Sequence, residues 1–442
     1  MQTFIIILLG QFVSRVGSRL TSFALNIWIY EQSGSVSQLS LLLLCSSLPS
    51  LLISPVTGVF VDRWNRRWTM IIADFCAGLC TLSIAGLFAT GNLSIWYLCI
   101  AEALSSCFSS CQSAAYAAAI TTLVPKEDLT RASGLTSLER SIARLISPVL
   151  AGILLVSVQL QGIIMIDFAT LFFALVPLLL IRFPNVKVAS EETGEKSFLK
   201  EAAYGWNYLT TRPGLLGLLF FLTARNIFVG AFILLTTPLV LSFTSTTGLG
   251  VIQSITSGGM LVGGLVMSIW KGKERYINTL FGFVVFNGLF ILVAALRPSL
   301  FLFTVSDFCL FITLPVVPGL VQVIFQKKVP PEVQGRVFGW KDPITSAGLT
   351  VGSAIAGPLD ENIFEPLMAP DGWLAGNLGQ IIGVGTSRGI ALLDIVMGLI
   401  LILGAVAAYQ LPRLRLVEVE LPDAITDQVD CAVEEALVVA DK

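Results

Sequence analysis

The chain has 442 residues, 55% of them hydrophobic and only 13% charged, against about a quarter charged in soluble domains. A mean hydropathy of +0.83 excludes both a soluble amphipathic enzyme and a disordered chain. The net charge of −2 argues against nucleic acid as a partner, and the lack of any histidine removes histidine-based zinc sites and Ser/His triads.

Apolar stretches of roughly 20 residues or more, enough to cross a bilayer, recur from one end to the other. They predict spans near 4–30, 38–61, 68–89, 93–122, 137–157, 161–181, 214–241, 248–270, 277–296, 299–326, 339–359 and 389–411. The first is too long for a cleavable signal and holds Arg15 and Arg19, so it reads as a membrane helix. Seven of the eight cysteines sit inside these apolar runs, as packing residues rather than a disulfide framework.

The breaks alternate in charge. Arg63, Arg66 and Arg67 follow span 2, Lys126 and Arg131 follow span 4, and Lys271, Lys273 and Arg275 follow span 8. The segments 31–37, 90–92, 158–160 and 242–247 carry no Lys or Arg. The positive-inside rule then places both termini in the cytoplasm of a multi-pass protein of the cell (inner) membrane. The domain reading is a six-helix bundle over 1–181, a polar cytoplasmic linker over 182–213, a second bundle over 214–411 and an acidic tail over 412–442. The later part of the linker, Phe198 to Leu209, reads as a short surface helix.

An internal repeat underlies the two bundles. Val124-Pro125 with Arg131, Gly134 and Ala151-Gly152 returns 205 residues later as Val329-Pro330 with Arg336, Gly339 and Ala356-Gly357. The same offset carries Glu102 onto Asp307, and an offset of 227 carries Gly162 and Asp167 onto Gly389 and Asp394. The 22 extra residues therefore fall in the loop 360–388. Fold class follows: an all-α membrane protein of twelve transmembrane helices, built as two parallel six-helix repeats. No phosphate-binding Gly-rich loop is present, so neither an enzyme nor an ATP-driven pump is expected.

Between spans 2 and 3 the chain reads Gly58-Val59-Phe60-Val61-Asp62-Arg63-Trp64-Asn65-Arg66-Arg67. This resembles the signature loop of the major facilitator superfamily, with Asn65 where that family has glycine. A left-handed turn would accept that exchange. The resemblance implies a cytoplasmic gate of Gly58, Asp62, Arg63, Arg66 and Arg67, joined by Arg144 and, from the second repeat, Arg336. The stretch Trp270-Lys271-Gly272-Lys273 keeps the positive charge of the second copy without the acid. Pro148, Gly152 and Gly357 resemble the small-residue packing element of helices 5 and 11 in antiporters of the superfamily. Across the chain the pattern is similar to the drug and macrolide efflux branch, which includes siderophore exporters.

In that superfamily helices 1, 4, 7 and 10 line a central cavity, which would hold Arg15, Arg19, Glu102, Arg225 and Asp307. A charge at mid-bilayer costs roughly 2.5–3.5 kcal/mol on insertion scales and needs a partner or water. Two roles stay open for the acids. Glu102 first, and Asp307 second, could carry a coupling proton. Alternatively both are permanent partners of Arg15, Arg19 or Arg225. Asp167 and Asp394, in spans 6 and 12, read as a shared structural pair. The implied function is secondary active transport: proton-coupled export of a drug-like or natural-product molecule by alternating access. An importer or uniporter of an anionic metabolite, and a transport-inactive sensor of the same fold, are the alternatives. The expected partners are a small-molecule substrate, protons and membrane lipids; the protein reads as a monomer that needs no cofactor or metal.

Overall fold

The computed structural model describes residues 2–125, 128–181, 198–269, 276–383, 385 and 387–420. The linker segment 182–197, the basic break at 270–275 and most of the acidic tail lie outside the described residues, as does Lys126. Elements run in the order α1 Gln2–Ser33, α2 Val36–Arg63, α3 Arg66–Ala89, α4 Ile95–Leu123 and α5 Leu129–Leu180. They continue with α6 Phe198–Thr210, α7 Pro213–Leu241, α8 Thr246–Ile269, α9 Tyr276–Ala295, α10 Leu300–Lys328 and α11 Pro331–Leu359. A π-helical turn at Asp360–Phe364, two short helices α12 Glu365–Met368 and α13 Gly379–Ile382, and then α14 Arg388–Gln410 complete the bundle. The short α15 Pro412–Arg415 and α16 Val417–Glu420 end the described chain.

α5 runs for 52 residues but reverses at Gln159, whose φ of 58° and ψ of −178° are not helical. Its two arms, 129–158 and 160–180, are the fifth and sixth predicted spans. Nine of the described helices are long and apolar enough to cross a membrane, α5 being counted once. α4 and α11 are equally long but fall outside that set. Serines, Glu102 and Gln112 dilute α4, while Lys341, Asp342 and several Ser and Thr dilute α11. Their polarity is what a cavity wall requires. α6 occupies the stretch expected to form a surface helix.

Helix starts follow the local chemistry. Ser35 caps α2 by accepting from Gln38 N at 3.1 Å, and Ser299 caps α10 by accepting from Leu302 N at 3.4 Å. Asn65 is a correction to expectation. Its φ is −67°, not left-handed, and its side chain caps α3 by accepting from Arg67 N at 3.1 Å. Asparagine is favoured there because its carboxamide oxygen satisfies N–H groups that have no partner within the helix.

Within the first half, α1 packs on α5, and α4 packs on α2 and α3; within the second, α7 packs on α11, α8 on α10, and α9 on α10 and α14. The broadest contacts between the halves are α5 with α8 and α2 with α11. Lipid gives no hydrophobic drive for one helix to pack on another, so close approach through small residues holds such a bundle together. Both crossings show it. A Cβ on Gly250 would run into Pro148 O, and one on Gly152 would lie 3.2 Å from Thr246 O. A Cβ on Gly357 would run into Ser40 Oγ and lie 2.6 Å from Val36 O. The repeated Ala-Gly pair thus seats α5 on α8 and α11 on α2, the same crossing made twice. The hinges repeat as well: Val124 ends α4 at φ −114°, ψ 132°, and Val329 ends α10 at φ −112°, ψ 124°.

The buried apolar core is deepest in the second half, where Leu218, Leu235, Val284, Phe303, Leu310 and Phe325 are wholly buried. Leu52, Phe173, Leu180, Leu265 and Phe301 are exposed, as side chains facing lipid tails are. The seven described cysteines are free.

Candidate transport cavities

Two cavities open inside the bundle. The larger, about 1140 Å³, belongs mainly to the first half. α4 contributes Ser105, Ser106, Ser109, Ser110 and Ser113, α1 adds Ser14, Ser18 and Ser22, and α2 adds Ser46, Ser47 and Ser50. Serines of α4 spaced three and four apart share one face of the helix, and that face is the cavity wall. Three carboxylates join them: Asp74 from α3, Glu102 from α4 and Asp167 from the second arm of α5. α11 reaches the same space with Ser346, Leu349 and Thr350.

Two of the acids, Asp167 and Asp74, are held by a hydroxyl and an amide. Ser18 Oγ donates to Asp167 Oδ1 at 3.1 Å. Gln11 Nε2 donates to Asp74 Oδ2 at 3.0 Å, and Gln112 Nε2 donates to Gln11 Oε1 at 2.7 Å. This chain of side chains ties α1, α3 and α4 beside the cavity. α1 can lie this close because Gly17 faces the second arm of α5, where a Cβ would run into Thr170 Oγ1.

The smaller cavity, about 670 Å³, lies between the halves. Arg15 and Arg19 from α1, Arg144 from α5 and Asp307 from α10 line it, with Ser147, Pro148, Thr256 and Ser257. Arg15 Nε lies 2.8 Å from Glu139 Oε1 on α5, an ion pair between neighbouring helices. Arg144 Nη1 crosses to the other half and meets Met260 Sδ at 2.9 Å.

Of the five residues expected around a central cavity, Glu102 lines the first space, and Arg15, Arg19 and Asp307 line the second. Arg225 lines neither and is a correction. It is buried, with Nε on Asn287 Oδ1 at 2.9 Å and Nη1 on Asn226 Oδ1 at 2.9 Å. Asn226 Nδ2 in turn donates to Thr345 O at 2.8 Å. Arg225 therefore clamps α7 to α9, and through Asn226 to α11, inside the second half. Arg144, expected at the gate, lines the cavity between the halves. The permanent pairing of Glu102 with Arg15, Arg19 or Arg225 is not the arrangement found, since Arg15 takes Glu139. Glu102 forms no ion pair among the described residues.

At the signature loop, Arg66 Nη1 donates to Ala118 O at 3.0 Å, and Arg67 donates through Nε and Nη2 to Leu178 O at 2.6 Å and Leu179 O at 2.7 Å. Arg67 so occupies carbonyls that the end of α5 leaves open. The side chains of residues 58–63, Asp62 and Arg63 included, lie outside the described set. Arg336 stands 5.3 Å above the Tyr204 ring, a cation–π contact between α11 and α6. Pro148, Gly152 and Gly357 all sit at the crossings between the halves.

A family model described as Major Facilitator Superfamily matches residues 7–359. The chain belongs to the major facilitator superfamily. It is a multi-pass membrane transporter rather than an enzyme, and efflux proteins are among its relatives. Macrolide efflux protein A of Streptococcus pyogenes is 29% identical over 351 residues, which cover 78% of this chain and 85% of that one. Macrolide efflux protein A of Enterococcus faecalis is 30% identical over 327 residues, covering 72% and 99%. The enterobactin exporter EntS of Salmonella typhi is 26% identical over 363 residues, covering 80% and 84%. Among solved structures, the nucleoside transporter NupG superposes with a TM-score of 0.67 at 14% identity, covering 93% of this chain and 100% of that one. A bacterial homologue of the lysosomal transporter Spinster, inward-facing and unoccupied, gives 0.70 at 14% identity, covering 94% and 98%. These likenesses show the fold.

Asp74 was not singled out by sequence, although an acid within an apolar span carries the same signal as Glu102. The serine face of α4 was equally readable as a polar stripe. Glu139 was readable as a charge but not as the partner of Arg15, because that pairing depends on how α1 meets α5.

Proposed function

We propose that this transporter exports a hydroxyl-bearing small molecule of natural-product type, driven by the proton gradient and working by alternating access. One observation carries the reading: the larger cavity combines a wall of serine hydroxyls with three carboxylates. Serine hydroxyls donate and accept in turn, so they suit a cargo rich in hydroxyl and carbonyl groups. Carboxylates beside such a cargo can take up and release protons, and the chain has no histidine to do so. Glu102 is assigned the coupling proton, because it lines the cavity and forms no ion pair with an arginine among the described residues. Hydrogen bonds that join the halves from Ser35 and Ser37 to Glu361, from Gly357 to Ser40 and from Thr246 to Glu31 lie at the end away from the basic loops. That end is assigned to the outside, with both termini in the cytoplasm. The likeness to macrolide and enterobactin exporters supports outward transport.

The test uses inverted vesicles, an imposed pH gradient and a labelled macrolide as the probe. Glu102→Gln is expected to abolish gradient-driven uptake while leaving exchange of labelled for unlabelled macrolide intact. Full gradient-driven uptake by a well-folded Glu102→Gln protein would refute the assignment. A second reading, an anionic cargo, is favoured by Arg15, Arg19 and Arg144 around the smaller cavity. Under it, a catecholate probe is transported and the macrolide is not.

A further inference from the structure

A charged side chain within the bilayer needs an opposite charge or water beside it. The smaller cavity has more arginine than acid. Arg15, Arg19 and Arg144 line it, with Asp307 as the one acid of the lining. Glu139 adds a second acid, 2.8 Å from Arg15 Nε. Three arginines less two acids leave one positive charge. A guanidinium does not lose its proton in a protein, so the excess is permanent.

That excess is local to two residues. Arg15 is answered by Glu139. Arg19, one turn further along α1, has its Nε buried without a hydrogen-bond partner. Arg144 is exposed to the cavity, and its Nη1 ends on Met260 Sδ at 2.9 Å. A thioether is a weak acceptor. Neither Arg19 nor Arg144 forms an ion pair among the described residues, and Asp307 answers neither. α8 adds Gln253 and Ser257 to the same lining, so polar groups of both halves meet here. A carboxylate bound at this place would displace only the thioether. Its two oxygens match the planar guanidinium fork, and its charge cancels the excess.

The larger cavity is next door. Ser18 and Ser22 line both spaces, so the two adjoin along α1 and one molecule can occupy both. We infer that Arg19 and Arg144 form a subsite for one oxyanion group, and that the exported molecule is a hydroxylated organic acid. Its hydroxyls lie on the serine wall of α4 and its carboxylate lies between the two arginines. A macrolide, lacking the acid, uses the serine wall alone. This rests on the hydroxyl-bearing cargo proposed above and adds the charge that the cargo carries. A free small anion has the same chemistry as a cargo carboxylate, and the test separates the two sources.

Phenylglyoxal modifies guanidinium groups, and peptide mass spectrometry then reads how fast Arg144 reacts in the full chain in lipid nanodiscs. No transport is needed. The protecting probes, at fixed ionic strength, are mupirocin (a hydroxylated monocarboxylate), its uncharged methyl ester, sulfate and benzoate. Mupirocin is expected to slow the modification about tenfold where the other three do not, the scale of one charge-assisted contact. Replacing the wall by Ser109→Ala with Ser110→Ala should weaken that protection. In calorimetry, Arg144→Gln should remove the preference for the acid over the ester; should that variant fail to fold, the modification rates of the parent decide alone. Equal protection by acid and ester, or no protection by any anion, overturns the subsite. Sulfate or benzoate protecting as well as mupirocin overturns the cargo carboxylate and gives the subsite to a free anion. Unprotected Arg144 with gradient-driven macrolide uptake intact removes the subsite and leaves the proposed function. Protection by mupirocin with no gradient-driven uptake does the reverse.

Discussion

Replacing Glu361 by alanine should unlatch the charge-poor end of the transporter. Glu361 lies just past α11, in the second half, yet its Oε1 accepts from Ser35 Oγ at 2.7 Å and from Ser37 N at 3.0 Å at the start of α2, in the first half. These are charge-assisted bonds to a helix N-terminus, where a carboxylate is favoured. A hydrogen bond to a charged group contributes about 1.5–3 kcal/mol when buried. Glu361 is only partly buried, so about 1 kcal/mol for each bond, about 2 kcal/mol together, is the fitting scale. Because the latch exists only while this end is closed, its loss shifts the equilibrium between states by roughly 30-fold, at 1.4 kcal/mol per factor of ten. Spin labels on cysteines placed at Asn92 and Asp371, in a background without the native cysteines, report the separation by double electron–electron resonance. The alanine variant should populate a longer distance; Glu361→Gln, which keeps an acceptor but not the charge, should fall between. The parent adds a pH test. Burial alone would raise the Glu361 carboxyl, but the bonds from Ser37, Ser35 and Val36 outweigh it and hold it below the ordinary glutamate range. A lowered folded value means that the latch is intact above the ordinary glutamate range and is lost as pH falls through that lower value. An alanine variant with the parental distance distribution, or a parent that opens at neutral pH, refutes the latch.

Gly250→Leu should splay α5 from α8, because its Cβ would run into Pro148 O; overpacking of this kind costs about 1–3 kcal/mol, read as a lower melting temperature in detergent. Gly264→Ala, with nothing within 4 Å of its Cβ, should leave the melt unchanged. Arg67→Ala strips the bonds on Leu178 O and Leu179 O and should destabilise the protein by about 1–3 kcal/mol. Arg67→Lys should rescue little, since one ammonium cannot reproduce the guanidinium fork. An impermeant thiol reagent added outside cells should label a cysteine placed at Gly34 or Asp371 and spare one placed at Thr193; labelling at 193 would invert the proposed topology.

The fold was legible because a bilayer leaves few options: every buried backbone group must be satisfied within a helix, so apolar length alone marks the spans. Even the reversal at Gln159 fell in the predicted break 158–160. The repeat also anticipated the crossings, since Ala-Gly at 151–152 and 356–357 can recur only where two backbones meet. What resisted was pairing. Arg225 shares its helix position with cavity residues, but Asn287 from α9 turns it inward, and nothing in local sequence announces that contact. Arg15 found Glu139 rather than Glu102 because α1 lies along α5. Asn65 matched a glycine position of the signature but works as a cap, a choice made by the backbone of the α2–α3 turn.

The repeat also distinguishes residues that both halves need from residues that one half uses. Moved by 205, the serines of α4 at 105, 106, 109, 110 and 113 fall on Leu310, Phe311, Leu314, Pro315 and Pro318 of α10. A framework requirement would have kept them small or polar in both copies, as it kept Gly152 and Gly357. Their loss from α10 means that the hydroxyl wall is not needed to build a bundle. The acids behave differently. Glu102 and Asp167 return as Asp307 and Asp394 although a carboxylate in a low-dielectric interior is costly. Their cost must be offset by something that both halves do. Under the proposed proton-coupled reading, a proton carried by these acids would meet that condition, whereas a hydroxyl wall confined to one half would not.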